Sequence, residues 1–75
     1  MRGKPVILTT RHNDGEDQWT ERMRFEHRDE AINEGRNMLD MDKHVRQFEV
    51  ESWEMREGKW ETFMTYRETA WRLIG

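Results

Sequence analysis

The sequence predicts an α+β fold: a four-stranded antiparallel sheet in the order β-β-α-β-β, with one helix packed on one face. Three observations carry that expectation. "PVILTTRHNDGEDQWTERMRF" alternates β-branched and polar residues about an Asp-Gly pair. "HRDEAINEGRNMLDMD" repeats apolar residues at helical spacing. "HVRQFEVESWEMREGKWETFMTYRE" alternates again about a turn that contains glycine.

In the first hairpin, Asp14-Gly15 suits the two positive φ values that a type I′ turn needs. A two-residue loop there pairs Thr10 with Trp19, Leu8 with Glu21 and Val6 with Met23. Val6, Leu8, Trp19, Met23 and Phe25 then share one face, and Ile7, Thr9, Arg11, Thr20, Arg22 and Arg24 share the other. A three-residue loop would set Val6 opposite Arg22 and Leu8 opposite Thr20, mixing the faces, so segregation of the apolar set favours the shorter loop.

The helix is read from Ala31, Ile32, Gly35, Met38 and Leu39, which form one buried stripe. His27 takes the N-cap position and Glu30 the capping-box position, while Asp29 and Glu30 suit the positive end of the helix dipole. Gly35 costs about 1 kcal/mol relative to alanine in a helix, and a close approach of the helix backbone to the sheet would explain it. Asp40 and Asp42 sit at the unfavourable negative end, so the helix should stop there.

For the second hairpin, a three-residue loop through Arg56-Glu57-Gly58 pairs Met55 with Lys59, Val50 with Met64 and Phe48 with Tyr66. Phe48, Val50, Ser52, Trp60, Thr62, Met64 and Tyr66 then face the helix, with Glu54 a misfit near the loop. Glu49, Glu51, Trp53, Met55, Glu61, Phe63 and Thr65 face away. A two-residue loop through Glu57-Gly58 would gather Trp53, Met55, Trp60, Met64 and Tyr66 around Glu49 and Glu51, so the longer loop buries fewer unpaired carboxylates. The tail 68–75, "ETAWRLIG", reads either as a helical turn docking Trp71, Leu73 and Ile74 or as a free end that orders on binding.

Residues 1–75 make one domain, at a size where a single core is only marginally sufficient. There is no cysteine to supply a disulfide or a thiolate metal site, so extra stability would come from a partner chain, and a homodimer is one route. Thirteen Lys/Arg against sixteen Asp/Glu leave a net charge of -3, which argues against a protein devoted to neutralising phosphates. Met1 is followed by Arg2, Gly3, Lys4 and Pro5, and apolar runs are short. The expectation is a cytoplasmic protein with no leader and no membrane span.

Catalysis finds little support. The single serine, Ser52, lies among glutamates in a strand, without a glycine-rich elbow or a histidine close in sequence. "DMDKH" and "HNDGED" bring Asp40, Asp42 and His44, or His12, Asp14 and Asp17, close in sequence. Neither has the spacing of a metal loop, and the scattered glycines form no phosphate loop. Neither cofactor nor metal is expected. What stands out is the sheet face that one helix leaves uncovered, where Trp53, Met55 and Phe63 combine with Arg22, Arg24, Glu51 and Glu61. Contiguous exposed apolar groups ringed by charge have the anatomy of a protein interface. The plainer reading is that Trp53 and Phe63 form a diagonal pair that stabilises the hairpin. The alternative function is single-stranded nucleic-acid binding on the open sheet, opposed by the glutamates beside the aromatics.

The hairpin through "NDGE", the helix "RDEAINEGRNML" and the hairpin "WEMREGKW" together resemble small bacteriophage-encoded proteins of host takeover or counter-defence, among them anti-CRISPR proteins and inhibitors of host RNA polymerase. The resemblance lies in the pattern and carries over no individual residue. It implies a non-enzymatic inhibitor that occupies a surface of a host protein or nucleoprotein complex, acting in the host cytoplasm.

Overall fold

The computed structural model describes residues 4–70, with the backbone alone at 63 and 64. Its elements run β1 (Val6–Asn13), β2 (Gln18–Phe25), α1 (Arg28–Met41), β3 (Val45–Arg56) and β4 (Lys59–Thr69). The strands form one antiparallel sheet in the order β2-β1-β3-β4, and α1 packs on one of its faces. Two hairpins are therefore joined through their first strands, β1 and β3, which occupy the centre.

The core lies where α1 crosses those central strands. Leu8 from β1 and Val45, Phe48 and Val50 from β3 are fully buried, each worth about 1.5–3 kcal/mol. Ala31, Ile32, Gly35 and Leu39 are the buried side of the helix, as the spacing predicts, and Met38 packs partly against them. Gly35 is pressed so closely on Phe48 that a β carbon there would lie 2.5 Å from the ring. The N-cap is His27, which makes no side-chain capping bond. Asp42 caps the other end, where its backbone N–H donates to the Met38 carbonyl at 2.9 Å.

Beyond the core, α1 is fastened to β4 by polar contacts. Arg36 donates to the Tyr66 hydroxyl (Nη2, 3.0 Å) and to Glu68 (Nε, 3.0 Å), and the Tyr66 hydroxyl donates to Glu68 at 2.8 Å. Arg28 and Arg36 both lie over the Tyr66 ring, 5.7 and 5.8 Å from its centroid.

Both loops differ from the expectation. β1 and β2 close through four residues, 14–17, because Asn13 pairs with Gln18. The side chains decide this. Asn13 Oδ1 accepts the Gly15 N–H at 2.8 Å, and Asp14 Oδ1 accepts those of Glu16 and Asp17 at 2.9 and 2.8 Å, building an Asx-turned loop instead of a type I′ turn. The observed pairs are Val6 with Phe25, Leu8 with Met23 and Thr10 with Glu21, two residues from the predicted register. A shift of two preserves every face assignment.

The second hairpin turns through two residues, Glu57 (φ +50°) and Gly58 (φ +79°), and pairs Arg56 with Lys59. The register then slips by one between Ser52 and Trp53, because β4 accommodates residue 63 as an extra residue, a β-bulge. Below the bulge, Val50 pairs with Tyr66 and Phe48 with Glu68, again two residues from the predicted register and with the faces kept. Above it the alternation of β4 is inverted. Trp60 pairs with Met55 and Thr62 with Trp53 on the face away from the helix, while Glu61 pairs with Glu54 on the other. The predicted places of Trp60, Thr62 and Glu61 are thereby corrected. β4 also extends to Thr69, so Glu68 and Thr69 are strand where a tail was expected. Ala70 packs against the core and donates its N–H to the Arg46 carbonyl at 2.8 Å. Trp71, Leu73 and Ile74 lie outside the described residues.

Candidate interaction face

The sheet face opposite α1 is built from rows of paired residues. One row reads Arg24, Ile7, Glu51 and Thr65 across β2, β1, β3 and β4, and the next reads Arg22, Thr9, Glu49 and Arg67. Strand alternation puts them on one side, and the unbroken β1–β2 register keeps Arg22 and Arg24 in line along the outermost strand.

The carboxylates of this face are occupied. Glu49 Oε1 lies 3.2 Å from Arg67 and 3.8 Å from Arg11, and Glu51 Oε2 accepts the Trp53 indole N–H at 3.3 Å. Glu61, expected among the aromatics, is on the other side. Paired positions of the open face therefore hold four arginines (Arg11, Arg22, Arg24, Arg67) against two glutamates (Glu49, Glu51), on a chain whose net charge is -3. Arg22 and Arg24 are exposed and make no ion pair among the described residues.

The apolar part of the face lies at the β3–β4 end. β1 pairs with β3 as far as Val6 and Ser52, and a last backbone bond joins Trp53 N–H to the Pro5 carbonyl at 3.0 Å. Among the described residues the β1–β3 pairing ends there, while β3 stays paired with β4 as far as the turn, Arg56 with Lys59. The open side of this β3–β4 ribbon carries Trp53, Met55 and Trp60, with Trp60 directly across from Met55 and two pairs along from Trp53. Both tryptophans are half-buried, whereas Met55 is 52% exposed. The side chain of Phe63 lies outside what is described, and its backbone is the extra residue of the bulge.

Trp60, Arg11, Glu49 and Arg67 are charged or large apolar members of this face that the sequence-based site did not include. The strand alternation already put Arg11 and Glu49 on this side, and carried past Tyr66 it gives Arg67. Trp60 could not be found in this way, because nothing in "GKWETFM" announces the bulge that turns it outward.

A second cluster lies on the helix side of β1 and β2. His12 is buried and stacks on Trp19 with ring centroids 5.1 Å apart. Its Nε2 is 2.8 Å from Thr10 Oγ1 and 3.6 Å from Glu21 Oε2. Both oxygens approach the same ring nitrogen, so the cluster lacks the relay of a nucleophile, a base and an orienting carboxylate, which uses both nitrogens. Thr10 is also only 1% exposed, so its hydroxyl satisfies a buried imidazole and offers no approach to a substrate.

The acidic stretches do turn and cap work. The Asp14 carboxyl lies below the ordinary carboxylate range because it accepts the backbone N–H groups of Asp17 and Glu16. Asp42 Oδ1 accepts the His44 N–H at 2.8 Å. Among the described residues, no group of three or more His, Cys, Asp or Glu side chains is placed to hold a metal ion. No described helix is long and apolar enough to cross a membrane.

Comparison with protein-family models, with curated proteins and with solved structures finds no match to this chain.

Proposed function

We propose that this chain is a protein-binding module without chemistry of its own, which inhibits its partner by covering a surface of it in the cytoplasm. The contact is made by the open sheet face. Trp53, Met55 and Trp60 anchor it, and Arg22 and Arg24 set its charge. The observation that carries this reading is Met55, 52% exposed beside two half-buried tryptophans on a ribbon that passes the end of β1. A large apolar side chain held out between aromatic neighbours, with ionic groups along the same face, is the arrangement of an interface centre and its rim.

Trp53→Gln tests the reading. Once the cellular partner has been captured and identified, the variant is expected to keep its circular dichroism spectrum and lose the partner. Undiminished binding by a folded Trp53→Gln protein overturns the proposal.

The surplus of arginine on the open face favours a second reading, binding of single-stranded nucleic acid. That reading requires affinity for oligonucleotides that falls steeply between low and moderate salt. The protein reading requires none.

A further inference from the structure

We infer that the outer edge of β2 is a strand-addition site, which takes an extended segment of the partner protein in which acidic and apolar residues alternate. This rests on the reading above that the partner is a protein, and it specifies what the partner presents.

β2 is the end strand of the sheet, and no described residue pairs with its outer side. Edge strands are ordinarily guarded by proline, by a bulge or by a covering element. β4, the other edge, has its bulge. β2 has none of these three, and its only guard is charge, that of Glu21, Arg22 and Arg24, which repels a strand of like pattern and admits one of opposite charge. Its sequence QWTERMRF contains neither proline nor glycine, its register with β1 is unbroken over eight pairs, and all its residues but Phe25 are exposed. A regular row of backbone donors and acceptors is left ready for another strand.

The two sides of the strand state what that strand must carry. Arg22 and Arg24 lie on the open side, two residues and so about 6.7 Å apart, without ion-pair partners among the described residues. Trp19 and Met23 lie on the helix side, 38% and 41% exposed, with Glu21 between them and its carboxylate 3.6 Å from His12. An added strand with carboxylates at alternate positions meets both arginines. Its intervening residues then fall on the other side, where apolar groups extend the surface of Trp19 and Met23.

Two other occupants fit less well. A second copy pairing antiparallel through β2 about a two-fold axis opposes Glu21 to Glu21 or Arg22 to Arg22 in its two fullest registers, so like charges meet in either. A nucleic acid has phosphates for Arg22 and Arg24. It has no peptide groups for the strand edge, however, and does not reach Trp19 and Met23 on the opposite side.

The test uses the full chain and two eight-residue peptides, the length of β2, made of the same glutamates and valines in alternating or block order. A third peptide repeats the alternating one with N-methyl groups that remove its ladder N–H donors. Binding is read by fluorescence anisotropy and by amide exchange in NMR. The alternating peptide is expected to bind and to slow exchange along β2, with the block and N-methylated peptides weaker by about tenfold or more. Arg22→Glu/Arg24→Glu, with its fold checked by circular dichroism, is expected to weaken the alternating peptide by a similar factor. Equal binding of the block peptide, slowed exchange along β4 instead of β2, displacement by an oligothymidylate, or a concentration-dependent dimer that protects β2 each overturns the inference. Partner capture that depends on Trp53, with no peptide binding at β2, defeats this inference and leaves the module reading standing. Peptide binding at β2 with capture indifferent to Trp53 does the reverse.

Discussion

A β carbon on Gly35 would lie 2.5 Å from Cδ2 of Phe48, a distance that side chains do not adopt, so the helix backbone rests directly on the aromatic ring at the centre of the core. Two effects of Gly35→Ala oppose each other. Helix propensity favours alanine by about 1 kcal/mol. Overpacking against a fully buried ring costs about 1–3 kcal/mol, since Phe48 is 0% exposed within the core cluster and has the Tyr66 ring 5.9 Å away. The clash wins. Gly35→Ala is expected to lower the urea midpoint, and Gly35→Ala with Phe48→Leu is expected to recover part of the loss. A higher midpoint for the single variant would show that α1 can move off the sheet at little cost.

That contact was legible because a glycine on an apolar helical stripe weakens the helix unless a neighbour needs the space its side chain would fill. The helix as a whole was legible too, since its periodicity needs no knowledge of its neighbours. The strand faces were legible for a different reason. In the body of each hairpin the true register differs from the expected one by two residues, and side chains alternate with a period of two, so the error cancels. Loop chemistry was the hidden part. The Asn13 and Asp14 side chains capture backbone N–H groups and lengthen the first loop, a competition that the Asp-Gly signal does not reveal. In the second hairpin one extra residue at 63 exchanges the sides of Trp60 and Glu61. That exchange gives the candidate site its third large apolar group and removes a carboxylate from it.

Glu57 bears a backbone cost. It stands at φ +50° in the two-residue turn, a conformation unfavourable for a glutamate and favourable for asparagine or glycine. Glu57→Asn is expected to stabilise the protein by about 0.5–1 kcal/mol, read as a higher urea midpoint with an unchanged slope. A loss of stability would mean that the hairpin turns by another geometry.

The Tyr66–Glu68–Arg36 contact gives the fold an acid limb. The Glu68 carboxyl is held below its ordinary value of 4.5, first by the hydrogen bond from the Tyr66 hydroxyl and then by that from Arg36. A depressed carboxyl stabilises the folded state fully above its unfolded value, and that contribution disappears as pH falls through the lower folded value. The wild type should therefore exceed Glu68→Gln in stability at pH 6, with the difference shrinking as pH falls below the ordinary carboxylate value and through the lowered folded one. Urea titrations across that range check it. A difference that stays constant with pH would show that the carboxylate is not held by these partners.

Met55 and Glu61 lie on opposite sides of the same ribbon, and this makes them a matched pair of probes. Both are exposed, so substitution at either should change stability by no more than about 0.5 kcal/mol. Under the module reading Met55→Glu places a charge among Trp53 and Trp60 at the centre of the contact, and partner binding should fall by about tenfold or more, which is about 1.4 kcal/mol. Glu61→Lys changes the charge by two units at the same height on the ribbon but on the side away from the aromatics, so binding should stay within about twofold. Surface plasmon resonance with the captured partner measures both. The opposite result, Glu61→Lys disruptive and Met55→Glu silent, would move the contact to the helix side of the ribbon and leave Trp53, Met55 and Trp60 as a cross-strand cluster that only holds the hairpin together.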